Sequence, residues 1–493
     1  MSASQSFSRA WDFDGDQRVT RRELVKWNVV VNDKYPASAA NATFATFFRD
    51  LDRDGDAAVS RSEFVTRTSS LLAGFDASDD DAFTLQLHLS WSDGYDVSGM
   101  RVSWVTFGAN SSSAPLVRFY NSTLTSVARG TTTTYNVGLL GGWNGLIHSA
   151  ELDGLAPAST YTYAVSTDGG ASWSGEHNFT TRQPQGLATY PASRWAVLGD
   201  AGAYFPAGYA VMDGLLADMK RAPYDAVMHV GDLAYATSLV GDSQEIEKFW
   251  DFWCEVIAPV AARVPYMISV GNHEDPYNYT SFMHRFQMPY VVPPPSAFYY
   301  AQLVSGVLWL QIDTQHGTGQ VDAAQLAWLQ AQLSRGAADP TVHWIIVNGH
   351  RPQVCSDKSE FDSHNPATGS LFLQLEPLFR KYEVDLYLCG HMHMFEFVHP
   401  LALNGTVVAV PQPYNGLANV YVQPAGTVRV VQGTGGIFTF TDTYVQPPPA
   451  WSFARSGEYG FGRLTVHNSK LLQYEFVETS NSNKVNHAFY IAK

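Results

Sequence analysis

The stretch LYLCGHMHMF, Leu386 to Phe395, is an apolar run that stops at a glycine and then delivers two histidines one residue apart. Alone, a G-H-x-H fits a turn with two surface imidazoles as well as it fits a pair of metal ligands, since neutral imidazole is the commonest such ligand. The same plan recurs four times upstream. RWAVLGDAG ends at Asp200, DAVMHVGDLAY at Asp232 and Tyr235, PYMISVGNHE at Asn272 and His273, and HWIIVNGH at His350. Helical segments alternate with these apolar runs, so residues 190–493 read as an α/β layered domain. In open α/β sheets the functional crevice lies beyond the carboxyl ends of the strands. Five runs ending in ligand-type residues therefore predict one convergent site. A strand-capping Asp or a buried His bonded to backbone accounts for any one of them, but not for all five.

The donor types narrow the chemistry. Two carboxylates, three imidazoles, an amide oxygen and a phenol form a hard-to-borderline nitrogen and oxygen set that needs no thiolate and suits iron, zinc or manganese. Seven donors exceed what one transition ion usually takes. Two ions sharing a bridging carboxylate would use them all, and a pair roughly 3.5–4 Å apart clamps phosphoryl oxygens during in-line displacement. Hydrolysis of a phosphate ester is the leading expectation.

G-D-x-G, G-D-x-x-Y, G-N-H-E, a strand-end G-H and G-H-x-H follow one another in this order within Asp200 to His393. The set resembles the metallophosphoesterases, and the tyrosine is that of the purple acid phosphatases among them. The tail YGFGRLTVHNSKLLQYEFV is similar to that family too. The resemblance implies two β-sheets flanked by helices and an acid phosphatase acting on phosphomonoesters. It assigns Asp200, Tyr235 and His393 to a ferric ion, Asp232 to a bridge, and Asn272, His350 and His391 to a second, divalent ion (iron, zinc or manganese). The two histidines of the opening stretch would then serve different metals. Phenolate and carboxylates suit Fe³⁺, whose charge yields hydroxide from a bound water at acidic pH. His273 would orient the phosphate and protonate the leaving oxygen. A further family histidine lies nine or ten residues after the strand-end G-H. This chain has Ser359 and Glu360 there, and the nearest candidate is His364. Phe395 and Phe397 stand where the family has Tyr and Arg, so substrate contacts are not carried over to that loop. A phosphodiesterase or phytase on the same site is an alternative reading.

The N-terminal segment, residues 1–75, holds an internal repeat. DFDGDQRVTRRE (Asp12 to Glu23) and DRDGDAAVSRSE (Asp52 to Glu63) share one twelve-residue pattern, 40 residues apart. Each resembles an EF-hand loop, with Asp12, Asp14, Asp16, Arg18 and Glu23, or Asp52, Asp54, Asp56, Ala58 and Glu63, as the calcium-coordinating positions. Position 6, normally Gly where the backbone turns sharply, is Gln17 or Ala57. A side chain at positive φ costs on the order of 1 kcal/mol there, which predicts weakened calcium binding. With these hands appended, a calcium-dependent binding or matrix protein carrying a vestigial phosphatase domain is the reading from another functional class.

Residues 83–183 show alternating short runs such as MRVSWVTFG and LVRFYNS, the size and spacing of a fibronectin-type β-sandwich. IHSAELDGLAPASTYTYAV resembles the domain that precedes the catalytic domain in larger purple acid phosphatases, with a supporting role. The whole chain has 493 residues, 16% charged, with a net charge of −15. That balance excludes phosphate-backbone binding and leaves carboxylates for cations. No apolar run reaches membrane-spanning length, and the start MSASQSFSRAW lacks the apolar core of a signal peptide. Six N-x-S/T sequons, at Asn41, Asn110, Asn121, Asn178, Asn278 and Asn404, point to a secreted or lysosome-like compartment. Three cysteines, Cys254, Cys355 and Cys389, allow at most one bridge and leave the pairing of Cys254 with Cys355 open. Nothing in the chain sets an oligomeric state.

Overall fold

The computed structural model describes residues 18–20, 58–60 and 85–493, apart from 108–112, 140–141, 203–205, 238–242, 295–296, 316–318, 438–440 and 481. The calcium positions Asp12, Asp14, Asp16, Glu23, Asp52, Asp54, Asp56 and Glu63 lie outside the described residues. Of that segment, Arg18–Thr20 and Ala58–Ser60 form two short strands paired antiparallel, with Val19 opposite Val59.

Eight strands between Leu85 and Thr180 build two four-stranded antiparallel sheets. Their inward residues, among them Leu89, Val102, Trp104, Phe119, Tyr161, Tyr163 and Phe179, are buried. The hydroxyl of Tyr161 accepts the Ala156 N–H at 2.8 Å and closes a corner of the sandwich. The sandwich sits on the domain that follows. Its Arg101 guanidinium donates to the Gln287 carbonyl at 2.9 Å, and its Tyr163 hydroxyl to the Ala262 carbonyl at 2.8 Å. A buried polar knot lies in this junction. Glu247 accepts from Tyr135 of the sandwich and from Arg285, and Ser281 lies between Glu245 and Glu247.

Beyond residue 190 two large sheets carry the chain. One has eight strands, with Tyr266–Ile268, Ala226–His229 and Ser193–Leu198 parallel neighbours and Gly460–Asn468 antiparallel beside them. The other has seven, in which Val307–Gln311, Trp344–Asn348, Leu386–Cys389 and Val428–Gln432 run parallel. Strands such as Ala226–His229, Trp344–Asn348 and Leu386–Cys389 are buried along their whole length, which is why they read as unbroken apolar runs. The sheets pack on each other through Trp195 stacked on Trp309 (centroids 4.9 Å apart) and Phe395 stacked on Phe476 (4.0 Å). Helices flank them. Asp322 caps the helix Ala323–Ala338 by accepting the Gln325 N–H at 2.7 Å, and that helix packs on the second sheet through Leu329 and Leu333. All three cysteines are buried and unpaired, so Cys254 and Cys355 form no bridge. Among the described residues no helix is long and apolar enough to cross a membrane.

Candidate dinuclear metal centre

Each of the five motif loops begins within three residues of the carboxyl end of a parallel strand. Asp200 follows Ser193–Leu198, Asp232 follows Ala226–His229, Asn272 follows Tyr266–Ile268, His350 follows Trp344–Asn348 and His391 follows Leu386–Cys389. Three of these strands adjoin in one sheet and two in the other, so the loops meet where the two sheets face. The turns are sharp. Asp200, Asp232, Tyr235 and His391 all have left-handed φ, between 52° and 69°. Such backbone costs about 1–2 kcal/mol per residue and survives only where the surroundings enforce it. Here they do: the Asp200, Ala201 and Gly202 N–H groups donate to the Gly231, Asp232 and Leu233 carbonyls, locking the two loops together. Two glycines let the chains approach. A Cβ on Gly271 would lie 2.1 Å from Asp232 Oδ1, and one on Gly390 2.3 Å from Asp200 Oδ2.

The side chains form two foci. At the first, Tyr235 Oη lies 3.0 Å from Asp200 Oδ1, 3.0 Å from Asp232 Oδ2 and 2.9 Å from His393 Nε2. At the second, Asn272 Oδ1 lies 3.1 Å from His350 Nε2 and 2.8 Å from His391 Nδ1. Asp232 Oδ2 belongs to both, since it is also 3.3 Å from His350 Nε2. Ligand atoms of Asp232, His350 and His391 all lie within 4.8 Å of one another. The protons are too few for this gathering of acceptors. Tyr235 has one hydroxyl hydrogen facing two carboxylates and an imidazole, while the Asn272 oxygen has none. His350 Nδ1 is turned to the Val230 carbonyl at 2.9 Å, which aims Nε2 inward. A donor set of this kind fits cations.

Electrostatics point the same way. Burial lifts the Asp200 carboxyl well above its usual range. Burial also opposes a charged Asp232, but the imidazoles of His350 and His273 outweigh it and hold Asp232 well below the usual range. Burial likewise works against charge on His350, yet Asp232 raises it to about 9. Burial lowers His391 to about 4 and His393 to about 3, leaving both imidazoles neutral as ligands must be. The Tyr235 phenol is driven far above its usual value by burial and by the two carboxylates, so it ionises only beside a strong cation.

His273 is not part of either focus but borders them. Its N–H donates to Asp232 Oδ1 at 3.0 Å, its ring lies 4.3 Å from that of Tyr235, and its Nδ1 is 2.5 Å from Thr237 Oγ1. Its Nε2 is 4.0 Å from Asp232 Oδ2. His364 is further out, its ring 6.3 Å from that of His391 and its Nε2 3.9 Å from Glu360. Several neighbours escaped the sequence reading. Glu274, inside the quoted G-N-H-E, accepts the N–H groups of Gly271, Asp232 and Leu233 at 2.7, 2.9 and 2.8 Å, tying two motif loops together. Asp442 accepts the His393 N–H at 2.6 Å. Arg351 faces His391 Nε2, as does Glu360, which the sequence showed only as standing in place of the family histidine. Only Glu274 sat within a recognisable motif; the others are ordinary polar residues in loops. Phe395 and Phe397 are fully buried and pack on Phe476 and Phe489, between the sheets.

Fold and site together define a metal-dependent phosphoesterase, and residues 193–395 match the calcineurin-like phosphoesterases. Residues 84–181 match the purple acid phosphatase N-terminal domain, and residues 426–487 the iron/zinc purple acid phosphatase-like C-terminal domain. Acid phosphatase type 7 of Mus musculus is 30% identical over 415 residues, 81% of this chain and 89% of that protein. The chain belongs to the purple acid phosphatase family. A nucleotide pyrophosphatase/phosphodiesterase of Hordeum vulgare is 27% identical, over 66% of this chain and 90% of that protein. The structure of purple acid phosphatase PPD1 from yellow lupin seeds superposes with a TM-score of 0.71 at 22% identity, over 83% of this chain and 74% of that one, a likeness of fold.

Proposed function

We propose that this chain is an acid phosphatase that hydrolyses phosphomonoesters at a dinuclear centre of one ferric and one divalent ion. The observation that carries this reading is the pair of donor foci sharing Asp232 Oδ2. Asp200, Tyr235 and His393 would hold the ferric ion, Asn272, His350 and His391 the divalent iron, zinc or manganese, and Asp232 would serve both. Bound there, the two cations supply Lewis-acid polarisation of the phosphoryl oxygens and a water activated at acidic pH. The protein's own groups do the rest. Glu274 and the left-handed turns preset the ligand loops, so little reorganisation accompanies reaction. Thr237 anchors His273 through Nδ1 and leaves Nε2 facing the site, where it delivers a proton to the leaving oxygen. His364 is a peripheral contributor at most, beside Glu360.

The N-terminal loops bind calcium, a reading supported by the repeated twelve-residue pattern and by the antiparallel pairing that sets Val19 against Val59, position eight of each loop. Exposed sequons at Asn178, Asn278 and Asn404 support a secreted or lysosome-like location. The barley relative's name gives the second reading, a phosphodiesterase on the same site. Metal analysis of the purified protein, with monoester and diester substrates assayed in parallel, tests these. Two transition ions per chain and faster monoester turnover support the proposal. Diester preference selects the alternative, and a protein without transition ions overturns both.

A further inference from the structure

We infer that Arg351 is a substrate-binding residue at the outer edge of the divalent focus, and that Glu360 is the positioning residue that orients His391 as a ligand. The inference rests on the dinuclear reading above. His391 presents its two nitrogens to different worlds. Nδ1 faces inward, 2.8 Å from Asn272 Oδ1. Nε2 faces outward, 2.8 Å from Arg351 Nη1 and 3.6 Å from Glu360 Oε2.

The inward Nδ1 is the nitrogen that would serve a divalent ion, and a histidine ligating there carries its ring proton on Nε2. A guanidinium is a donor only and cannot accept that proton, so the acceptor is Glu360 Oε2, whose contact fixes the ring orientation.

Arg351 is held beside His391 by other groups. Its backbone stays pinned, because its N–H donates to Thr314 Oγ1 at 3.0 Å and its carbonyl accepts from the Tyr387 hydroxyl at 2.7 Å. Its Nε stays on Gln315 Oε1 at 3.0 Å. The terminal nitrogen is left with donors to satisfy beside the divalent focus, and a planar fork of donors matches phosphoryl oxygens. The guanidinium therefore contacts the phosphoryl group of the substrate and of the product, inorganic phosphate.

The test compares wild type, Arg351→Ala, Arg351→Lys, Glu360→Gln and Glu360→Asp by metal analysis, by calorimetric binding of inorganic phosphate to the metal-loaded protein, and by KM and kcat. Arg351→Ala should keep two ions, weaken phosphate binding and raise KM by about 10–100-fold, with kcat changed less; Arg351→Lys should recover part of the loss. Glu360→Gln should weaken retention of the divalent ion by about 10–100-fold, with Glu360→Asp recovering part of it and phosphate affinity at saturating metal unchanged. Wild type lacking two ions overturns the dinuclear reading and this inference with it. A two-ion wild type whose Arg351→Ala variant keeps both phosphate affinity and KM, or loses metal, overturns the role of Arg351 alone. Unchanged metal retention in Glu360→Gln overturns the role of Glu360.

Discussion

Replacing Glu245 by Gln should remove a pH dependence from the stability of the junction between sandwich and catalytic domain. Ser281 Oγ lies 2.5 Å from Glu245 Oε2 and 2.6 Å from Glu247 Oε1, and one hydroxyl hydrogen cannot serve two carboxylates. Arg285 faces Glu247 at 3.2 Å and Asp251 at 3.0 Å, and Tyr135 also donates to Glu247, so the negative charge belongs on Glu247 and the extra proton on Glu245. Glu245 Oε1 accepts from Trp250 at 3.1 Å. Burial, reinforced by the charge of Glu247, lifts Glu245 from its ordinary 4.5 to about 8. Because the folded value exceeds the unfolded one, the folded chain binds the extra proton between those pH values. The stabilisation is complete below about 4.5 and lost by about 8. A full proton of difference is worth about 1.4 kcal/mol per pH unit, so the window totals on the order of a few kcal/mol. The Gln amide donates to Ser281 at every pH and has nothing to lose. Urea unfolding at pH 5, 6.5 and 8, followed by tryptophan fluorescence, should show wild type weakening relative to Glu245→Gln as pH rises. Parallel curves for the two proteins would refute the shared-proton assignment.

Tyr235→Phe should bleach the visible phenolate-to-iron absorption band of the iron-loaded protein; a band that persists removes Tyr235 from the ferric focus. His273→Ala should keep both ions and lose turnover by roughly 10²–10⁴-fold, less for esters with good leaving groups, as read from kcat across a leaving-group series. Calcium should raise the melting temperature of the N-terminal module, by an amount corresponding to about 2.7 kcal/mol when it is a hundredfold above Kd. Glu23→Gln with Glu63→Gln should abolish that rise while phosphatase turnover stays nearly intact, and differential scanning calorimetry with a parallel activity assay reads both.

What the sequence displayed and what it hid divide along a physical line. Asp200, Asp232, Asn272, His350 and His391 were legible because each ends a buried parallel strand, and strand burial writes itself into local composition while the crevice rule supplies the convergence. The pairing of Ser193–Leu198 with Gly460–Asn468 carries no such local mark, since it joins segments more than 250 residues apart. The proton-sharing knot of Tyr135, Glu245, Ser281 and Arg285 is likewise assembled from separate segments, and no one of those residues is unusual in its own. Glu360 was in view where the family has a histidine and Arg351 was not, though it follows the strand-end His350, and spacing could not reveal that both address the outer nitrogen of His391. Motifs record which atoms must touch a metal. Which groups hold those atoms in their protonation state depends on the approach of loops distant in sequence, and an acid in place of an expected histidine changes that second task without altering the seven-donor pattern.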